Sequence, residues 1–316
     1  MRTTRVRDLD EEALLATFTP LLPQGAAEVP NGDDAAVVPL SEPRVVITTD
    51  VLVEDRHFSR NWSSGADVGW RSIMQNAADV GSMGAVPVSF VAAVVLPGDL
   101  PVEWVRDLAA GMAAACEELT AQTGVPCGVV GGDLSAGDAV VVAVTAHGDL
   151  RGHTPVLRSG ARVGDVVAHA GTLGRSAAGL AALRAGHHDR DTAVYRRPRP
   201  PLAVALTARH AHAMMDVSDG LLRDAGRMAR ASGVTLDVHL PVDPELAAMA
   251  EALGADPLPW VAGGGEDHGF LAAFAPGTVP AGFQVLGAVR ERGSHAVLVD
   301  GSPPTLTVGW DHFGGR

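Results

Sequence analysis

"AMMDVSDGLLRDAGRMARASGV", residues 213–234, passes from a strand pattern to a helix pattern within a few positions. Its first residues are apolar, and the later part carries an apolar helical stripe made by Leu221, Leu222, Ala225, Met228 and Ala229. Asp216 and Asp219 stand at the junction and flank Ser218. A strand that leads directly into a helix, with acids at the turn, indicates a chain of mixed strand and helix content.

The junction residues have two readings. Ser218 could cap the N-terminus of the helix, and Asp219 could favour that end through the helix dipole. The same oxygen atoms could instead serve a ligand, because small residues beside them let a ligand approach closely. The local sequence leaves both readings open.

The rest of the chain repeats the mixture of strands and helices. We predict strands at 35–40, 44–53, 88–96, 127–133, 139–150, 165–171 and 233–242. We predict helices at 8–19, 67–85, 102–122 and 176–186. The strand at 127–133 should end in a glycine loop, and 260–274 should form a glycine turn that runs into a strand.

Length and a polar linker favour two domains. The chain has 316 residues, and the stretch 151–165 is polar and contains glycine. We therefore expect an N-terminal domain at 1–150 and a C-terminal domain at 151–316. Both halves mix strands and helices and lack a dinucleotide-binding fingerprint, so an α+β fold is predicted.

The charged residues exclude several classes of protein. Lys+Arg 24 against Asp+Glu 37 gives a net charge of −13, which argues against nucleic acid or an anionic membrane as partner. Every basic side chain other than histidine is an arginine. A P-loop, a protein kinase and a Schiff-base enzyme each need a lysine, so these three classes are excluded.

The cysteines and the N-terminal sequence indicate a cytoplasmic protein. Cys116 and Cys127 form no CxxC motif and are expected to be buried free thiols. The opening residues are charged and lack the apolar core of a signal peptide. Apolar runs such as 88–97 are too short to span a bilayer.

Acidic residues recur at the ends of predicted elements. Asp33 and Asp34 precede a strand, Asp50 ends one, and Asp133 follows two glycines. Asp79 falls off the apolar stripe of the helix at 67–85, as does Asn76, and a polar helix face is expected there. Turn residues and solvated charges are the alternative readings, and Asn-Gly-Asp-Asp is itself a good turn sequence.

These acids suggest magnesium and phosphate chemistry if they converge. Two carboxylates about 4 Å apart repel by about 4 kcal/mol at an effective dielectric of 20. Mg²⁺ removes that repulsion, since it binds carboxylates and substrate phosphates together. Zinc is not favoured, because the sequence has no HExxH motif and no paired cysteines.

A family resemblance runs through the motifs in order. The runs "GDDAAVV", "TTDVLVEDRHF", "NAADVGSMGA", "VVGGD", "RSGARVGD", "GTLGRSAAGL", "MDVSDGLLRDAGRMARASGV", "GGGEDHG" and "GWDHF" extend from residue 32 to 313. The chain resembles the thiamine-monophosphate kinase family of the aminoimidazole-ribonucleotide-synthetase-like superfamily. Each run alone is weak evidence, but together they cover almost the whole chain.

The resemblance implies an architecture and a reaction. It implies a two-domain synthetase-like α+β fold, with the N-terminal domain pairing in a dimeric β-barrel and an α/β sandwich-like C-terminal domain. ATP and several Mg²⁺ ions are expected in a cleft between the domains. The implied reaction transfers the γ-phosphate of ATP directly to thiamine monophosphate, giving thiamine diphosphate and ADP.

The resemblance also assigns residues by position. The implied metal ligands are Asp34, Thr48, Thr49, Asp50, Asp79, Asp133, Asp216 and Asp219. The implied ATP-binding residues are Gly132, Asp133, Arg158 and Ser218. The implied substrate-binding residues are His57, Glu266 and Trp310. No residue is assigned as general acid or base, because the acceptor phosphate is already anionic.

Two alternatives remain beside the kinase reading. One is another ATP-dependent synthetase of the same superfamily, and the other is a catalytically silent nucleotide-binding module. A selenophosphate synthetase would need a reactive Cys or Sec with a Lys near the N-terminus, which this chain lacks. The substrate side also departs from the family, since His268 stands where many relatives carry Tyr.

Overall fold

The computed structural model describes residues 3–29, 35–187, 192–306 and 309, and the chain divides into two compact units. The first unit comprises Met1–Val80 and Ala85–Gly152. The second comprises Gly81–Gly84 and His153–Arg316. Each unit is built on a sheet of its own.

The first unit contains a four-stranded sheet and three helices. Its strands are β1 (Val46–Val53), β2 (Val86–Leu96), β3 (Gly128–Ala136) and β4 (Val141–Asp149). Its helices are α1 (Glu11–Phe18), α2 (Gly65–Ser82) and α3 (Val102–Thr123). The strand order is β1-β4-β2-β3, and only β2 and β3 pair in parallel. A parallel pair needs a long crossover, and α3 supplies it.

The two faces of this sheet differ in burial. On β1, Thr48 and Asp50 point to the same side as Leu52, which is buried, and we call this side the helix face. Ile47 and Val51 point to the other side and are 60% and 45% exposed, so we call that side the open face. The alternation follows from the two-residue period of a strand.

Helix α2 is buried on nearly every side. The predicted stripe of Trp70, Ile73 and Met74 is in the core, as expected. Asn76, which we expected on a polar face, is fully buried, and its side-chain amide donates to the Ser72 carbonyl at 2.9 Å. The expectation of a polar face is therefore wrong for Asn76, whereas Asp79 is partly exposed.

The second unit contains a six-stranded sheet with helices. Its strands are β5 (Val166–Ala170), β6 (Ala213–Val217), β7 (Thr235–Val238), β8 (Gly269–Phe274), β9 (Gln284–Arg290) and β10 (Val297–Val299). Its helices are α4 (Arg175–Arg184), α5 (Ala193–Arg196), α6 (Leu202–Thr207), α7 (Leu221–Ser232), α8 (Pro244–Leu253) and α9 (Leu258–Gly263). The order is β10-β7-β9-β5-β8-β6, antiparallel except between β10 and β7.

The strand-to-helix passage predicted from residues 213–234 is confirmed. It forms β6 and α7, and the whole predicted stripe of α7 lies in the hydrophobic core of the second unit. The two units, each combining a mostly antiparallel sheet with helices, confirm the α+β prediction. The pairing of two N-terminal domains in a barrel remains a prediction.

Three local predictions are wrong. Residues 35–40 form no strand, and only an isolated bridge joins Val37 to Val29. The predicted glycine loop after 127–130 is instead part of β3, which continues to Ala136 through pairing with β2. Residues 258–263 form α9, so the predicted glycine turn is confined to 264–268.

The cysteines behave as predicted. Cys116 and Cys127 are buried and free, and the Cys127 thiol lies 3.5 Å from the Cys116 carbonyl oxygen. Among the described residues, no helix combines the length and the apolar character needed to cross a membrane.

Candidate functional site

The helix face of the first sheet carries two acids and a hydroxyl. Thr48 and Asp50 occupy alternate positions on β1, so their side chains point to the same side. The Thr48 hydroxyl donates to Oδ2 of Asp79 on α2 at 2.7 Å. Both acids are only partly buried, although the core surrounds them. Oxygen donors from a strand and a helix are therefore placed on one side of the sheet.

Thr49 points to the opposite side of the sheet. Its hydroxyl donates to the Val144 carbonyl at 3.0 Å and accepts from the Thr145 hydroxyl at 3.1 Å. The Thr49 side chain therefore faces away from Thr48 and Asp50. Only the main-chain carbonyl of Thr49 could bind the same metal ion as Thr48 and Asp50.

Within the first unit, Asp133 does not lie near Asp50 and Asp79. It is exposed on β3, pairs in register with Ala93, and accepts a 3.1 Å hydrogen bond from the Ser135 hydroxyl. The register places it on the open face. Because β1 and β3 are opposite edges of the sheet, Asp133 and Asp50 lie about 14 Å apart, three strand spacings.

Gly132 and Arg158, which are expected to contact the nucleotide, lie in different local structures. Gly132 pairs with Ala92 on β2, and a Cβ at this position would collide with the Ala92 carbonyl oxygen. Glycine is therefore required by strand packing alone. Arg158 is exposed and lies in a stretch without helix or strand.

His57 sits in the turn that follows β1. The Val53 N–H donates to His57 Nδ1 at 3.0 Å, and the Arg71 guanidinium donates to the His57 carbonyl at 2.9 Å. Accepting a bond at Nδ1 means that the neutral ring carries its proton on Nε2. The turn includes Asp55 in the left-handed region, with φ 60°.

The junction of β6 and α7 is organised by a buried carboxylate that we did not predict. Asp224 is fully buried, and its Oδ2 accepts the N–H of Ser218 at 3.1 Å and of Asp219 at 2.9 Å. The N-cap residue of α7 is Gly220, so the alternative in which Ser218 caps the helix is wrong. The only sequence signal for Asp224 was an acid in the first turn of a helix.

Arg227 ties the acids of this junction together. It lies 2.6 Å from Asp219 and 2.6 Å from Asp224. Burial, reinforced by the charge of Asp216, raises the pKa of Asp224 to about 6, against the effect of Arg227. The Asp219 carboxylate is thus already paired with a cation.

Asp216 and Glu266 share a buried histidine. His268 Nε2 lies 3.3 Å from Glu266 Oε2, and its Nδ1 lies 3.6 Å from Asp216 Oδ2. Burial by itself lowers the pKa of His268, but the carboxylates of Asp216 and Glu266 outweigh it and raise the pKa to about 10. The residue that differs from the family pattern therefore lies between two acids that are expected to bind ligands, and these acids favour its charged form.

The candidate ligands carry oxygen donors, which is the type of donor that magnesium binds. The carboxylates and hydroxyl groups of each unit are hard oxygen donors of the kind that Mg²⁺ binds. Among the described residues, no group of three or more His, Cys, Asp or Glu side chains is arranged for a metal ion. Two predicted residues, Asp34 and Trp310, lie outside the described residues.

Comparison with protein families covers both halves of the chain. Residues 32–150 match the N-terminal domain of AIR synthase related proteins, and residues 162–297 match their C-terminal domain. Together with the two units of the fold, these matches define a two-domain protein of the AIR synthase related class.

Individual relatives narrow the class. A thiamine-monophosphate kinase of Mycobacterium tuberculosis is 46% identical over 293 residues, 90% of this chain and 85% of the relative. One of Corynebacterium glutamicum is 40% identical over 326 residues, 98% of this chain and 95% of the relative. A solved structure described as AaThiL complexed with AMPPCP and TMP is 30% identical with a TM-score of 0.78, covering 99% of this chain and 100% of that one. The chain belongs to the thiamine-monophosphate kinase family.

Proposed function

We propose that this protein transfers the γ-phosphate of ATP to thiamine monophosphate, producing thiamine diphosphate and ADP. The observation that carries the proposal is the likeness, over 99% of the chain, to a family structure complexed with AMPPCP, an ATP analogue, and TMP. The absence of lysine from the sequence agrees with it, because this fold needs neither a P-loop nor a kinase-type lysine.

We propose that oxygen atoms of the following residues bind several Mg²⁺ ions. In the first unit these are the side chains of Thr48, Asp50 and Asp79, the Thr49 carbonyl, Asp133 and Asp34. In the second unit they are Asp216 and Asp219. When bound, Mg²⁺ supplies neutralisation of phosphate charge.

The residues of the chain contribute positioning rather than covalent chemistry. Phosphoryl transfer needs in-line placement and charge stabilisation more than an acid or a base. Ser218, Gly132 and Arg158 are proposed to contact the nucleotide. Asp224 keeps the Ser218–Asp219 main chain in place through two hydrogen bonds. A fixed loop avoids the cost of ordering it when the nucleotide binds.

Glu266, His57 and Trp310 are proposed to hold thiamine monophosphate. A carboxylate suits a substrate that carries a positive thiazolium ring, and an indole can stack on such a ring. His268 lies beside Glu266 and restrains its carboxylate. Neither Glu266 nor His268 needs to move a proton for the transfer, because the acceptor is a phosphate anion.

We further propose a homodimer formed through the first unit. Strand β1 is an edge of its sheet, and its open face exposes Ile47 at 60% and Val51 at 45%. Exposed apolar edge strands invite pairing with another chain. A second copy of this chain is the partner that the family resemblance implies.

The two domains then have distinct tasks. Residues 1–150 are proposed as the dimerisation domain that also binds magnesium and ATP, and residues 151–316 as the domain that completes the nucleotide and substrate sites. A cytoplasmic location is proposed as well, since buried free thiols such as Cys116 suit a reducing compartment. Neither nucleic acid nor a membrane is a proposed partner of a chain with a net charge of −13.

The test is a turnover assay with purified protein, Mg-ATP and thiamine monophosphate. We expect thiamine diphosphate and ADP in equal amounts, with no product when EDTA removes the metal. ATP binding without any product would favour the silent nucleotide-binding module. ADP release that depends on a different acceptor, with none for thiamine monophosphate, would favour another synthetase of the superfamily.

A further inference from the structure

Asp267 is buried at the N-terminus of α4 and accepts four hydrogen bonds there. Its Oδ1 accepts from the Thr172 hydroxyl at 2.8 Å and from the N–H groups of Arg175 and Ser176 at 3.2 Å. Its Oδ2 accepts from the Gly174 N–H at 2.9 Å. The residue is 3% exposed. One carboxylate therefore satisfies the start of a helix that lies 92 residues away from it in sequence.

Helix α4 has no cap of its own. Its N-cap residue is Gly174, which has no side chain to accept the first amide hydrogens. The first amides of a helix lack partners within the helix, and an anion is favoured at that end. Asp267 fulfils both requirements, so the loop that carries it is fastened to α4.

The two neighbours of Asp267 are in unfavourable backbone conformations. Glu266 has φ 70° and His268 has φ 54°, two of five non-glycine residues with positive φ in the described part of the chain. Such conformations cost about 1–3 kcal/mol each and persist only where the surroundings enforce them. The Glu266 and His268 N–H groups donate to the Ser218 and Val217 carbonyls at 2.8 and 3.1 Å.

We propose that Asp267 is a positioning residue for the substrate side of the site. Its bonds to α4 hold the loop in the conformation that points the Glu266 carboxylate at thiamine monophosphate. Without this anchor, Glu266 and His268 relax towards ordinary φ values and the carboxylate moves away from its place. This inference rests on the proposed function, because Glu266 is the proposed substrate contact.

The principal variant is Asp267→Asn, which keeps the size of the side chain but replaces one acceptor oxygen with a donor. We expect kcat/KM for thiamine monophosphate to fall about 10- to 100-fold, since small misplacements of a binding group have effects of this size. KM for ATP should stay within about twofold, because the Ser218 loop has its own anchor in Asp224. If Asp267→Asn keeps the loop in its wild-type conformation, Asp267→Ala is used as the second variant.

Asp10→Ala is the matched control. Asp10 caps α1 by accepting the Ala13 N–H at 2.8 Å, and it lies in the first unit. Its loss should lower stability by about 1 kcal/mol, as the loss of a helix cap does. Both KM values should remain at the wild-type level. If the loss of any helix cap changed KM, Asp10→Ala would show that change as well.

Amide hydrogen exchange provides a readout that does not depend on turnover. In Asp267→Asn, the amides of Glu266 and His268 should exchange at least about tenfold faster, because their bonds loosen once the anchor is lost. Exchange in the strands should stay at the wild-type rate, and Asp10→Ala should leave both amides protected.

Each outcome decides the proposal. Unchanged protection of the two amides in both Asp267→Asn and Asp267→Ala, or equal rises in KM for ATP and thiamine monophosphate, would overturn it. A wild-type protein that turns over no thiamine monophosphate would refute the proposed function instead. In that case the exchange experiment still shows whether Asp267 holds the loop.

Discussion

The Thr48 hydroxyl donates a 2.7 Å hydrogen bond to Asp79, and this contact joins the edge strand β1 to helix α2. The bond explains how a carboxylate on a buried helix is kept in a fixed orientation. Asp79 is partly buried on a helix whose other residues are mostly in the core, and a cation nearby would stabilise its charge. The proposed metal role of Asp79 rests on this setting.

Asp79→Asn should preserve folding and reduce kcat at least 10- to 100-fold, or about 1.4–2.8 kcal/mol in the barrier. An amide keeps a bond to Thr48 but removes the negative charge that a metal ion requires. Steady-state turnover and circular dichroism would measure the two effects. Asp138→Asn, an exposed acid of the same unit, should keep normal turnover. Near-normal turnover of Asp79→Asn would exclude Asp79 as a metal ligand.

Arg227→Met should destabilise the protein by about 2–4 kcal/mol, because it leaves the fully buried Asp224 carboxylate without a cation. Denaturant unfolding would measure the loss. The double variant with Asp224→Asn should recover much of it, because no unpaired charge then remains. Arg106→Met is the control; this exposed arginine lies 3.8 Å from Glu103, and its loss should cost less than about 1 kcal/mol. Equal losses for the single and double variants would refute this account.

The stability of the protein should fall in acid because of His169. Burial lowers the pKa of His169 to about 3 from 6.5, and its Nε2 has no hydrogen-bond partner among the described residues. The unfolded chain takes up a proton below about pH 6.5 while the native chain does not, so stability is lost as the pH falls from about 6.5 towards 3. The slope is at most about 1.4 kcal/mol per pH unit.

His169→Gln should remove this contribution. The difference in unfolding free energy between wild type and His169→Gln should shrink by about 1 kcal/mol from pH 6 to pH 5. Denaturant unfolding at pH 7, 6 and 5 measures it. Parallel curves for wild type and His169→Gln would contradict the prediction.

Ile47→Asp should convert the proposed dimer to a monomer. Its side chain is 60% exposed on the edge strand β1, and a carboxylate there would be buried unpaired against a second copy. Light scattering coupled to size exclusion measures the mass. Val285→Asp is the matched control, since Val285 is 59% exposed but lies on β9 of the other sheet. A wild-type monomer, or a dimer that survives Ile47→Asp, would remove this face from consideration.

Periodicity predicted the long elements well and the short ones poorly. The helices containing Ile73 and Met228 were found because many core contacts enforce a regular apolar stripe. The stretch 35–40 is apolar, yet Val37 is 47% exposed and Pro39 offers no N–H to a sheet. Apolar content alone does not make a strand when no neighbour pairs with it.

The sequence and its family resemblance proposed the acids of the candidate site, but they did not point to the residues that support the site. Asp50, Asp79 and Asp216 were proposed because each falls in a run that resembles a family motif. Asp224 and Asp267 act through hydrogen bonds to main-chain atoms, and for Asp267 these atoms lie more than 90 residues away. No spacing rule reveals such a contact, because it exists only once the sheet is assembled.

The pairing of β1 with β4 also has a consequence for how the chain is made. Val46 pairs with Gly148, so the edge strand must wait for about a hundred further residues before its partner exists. Long-range pairing of this kind is slow, because the intervening loop must be closed first. During synthesis β1 would remain open while β2, α3 and β3 assemble locally. Leu52, which is buried in the folded unit, would then stay exposed in the nascent chain and favour unwanted association until β4 is made.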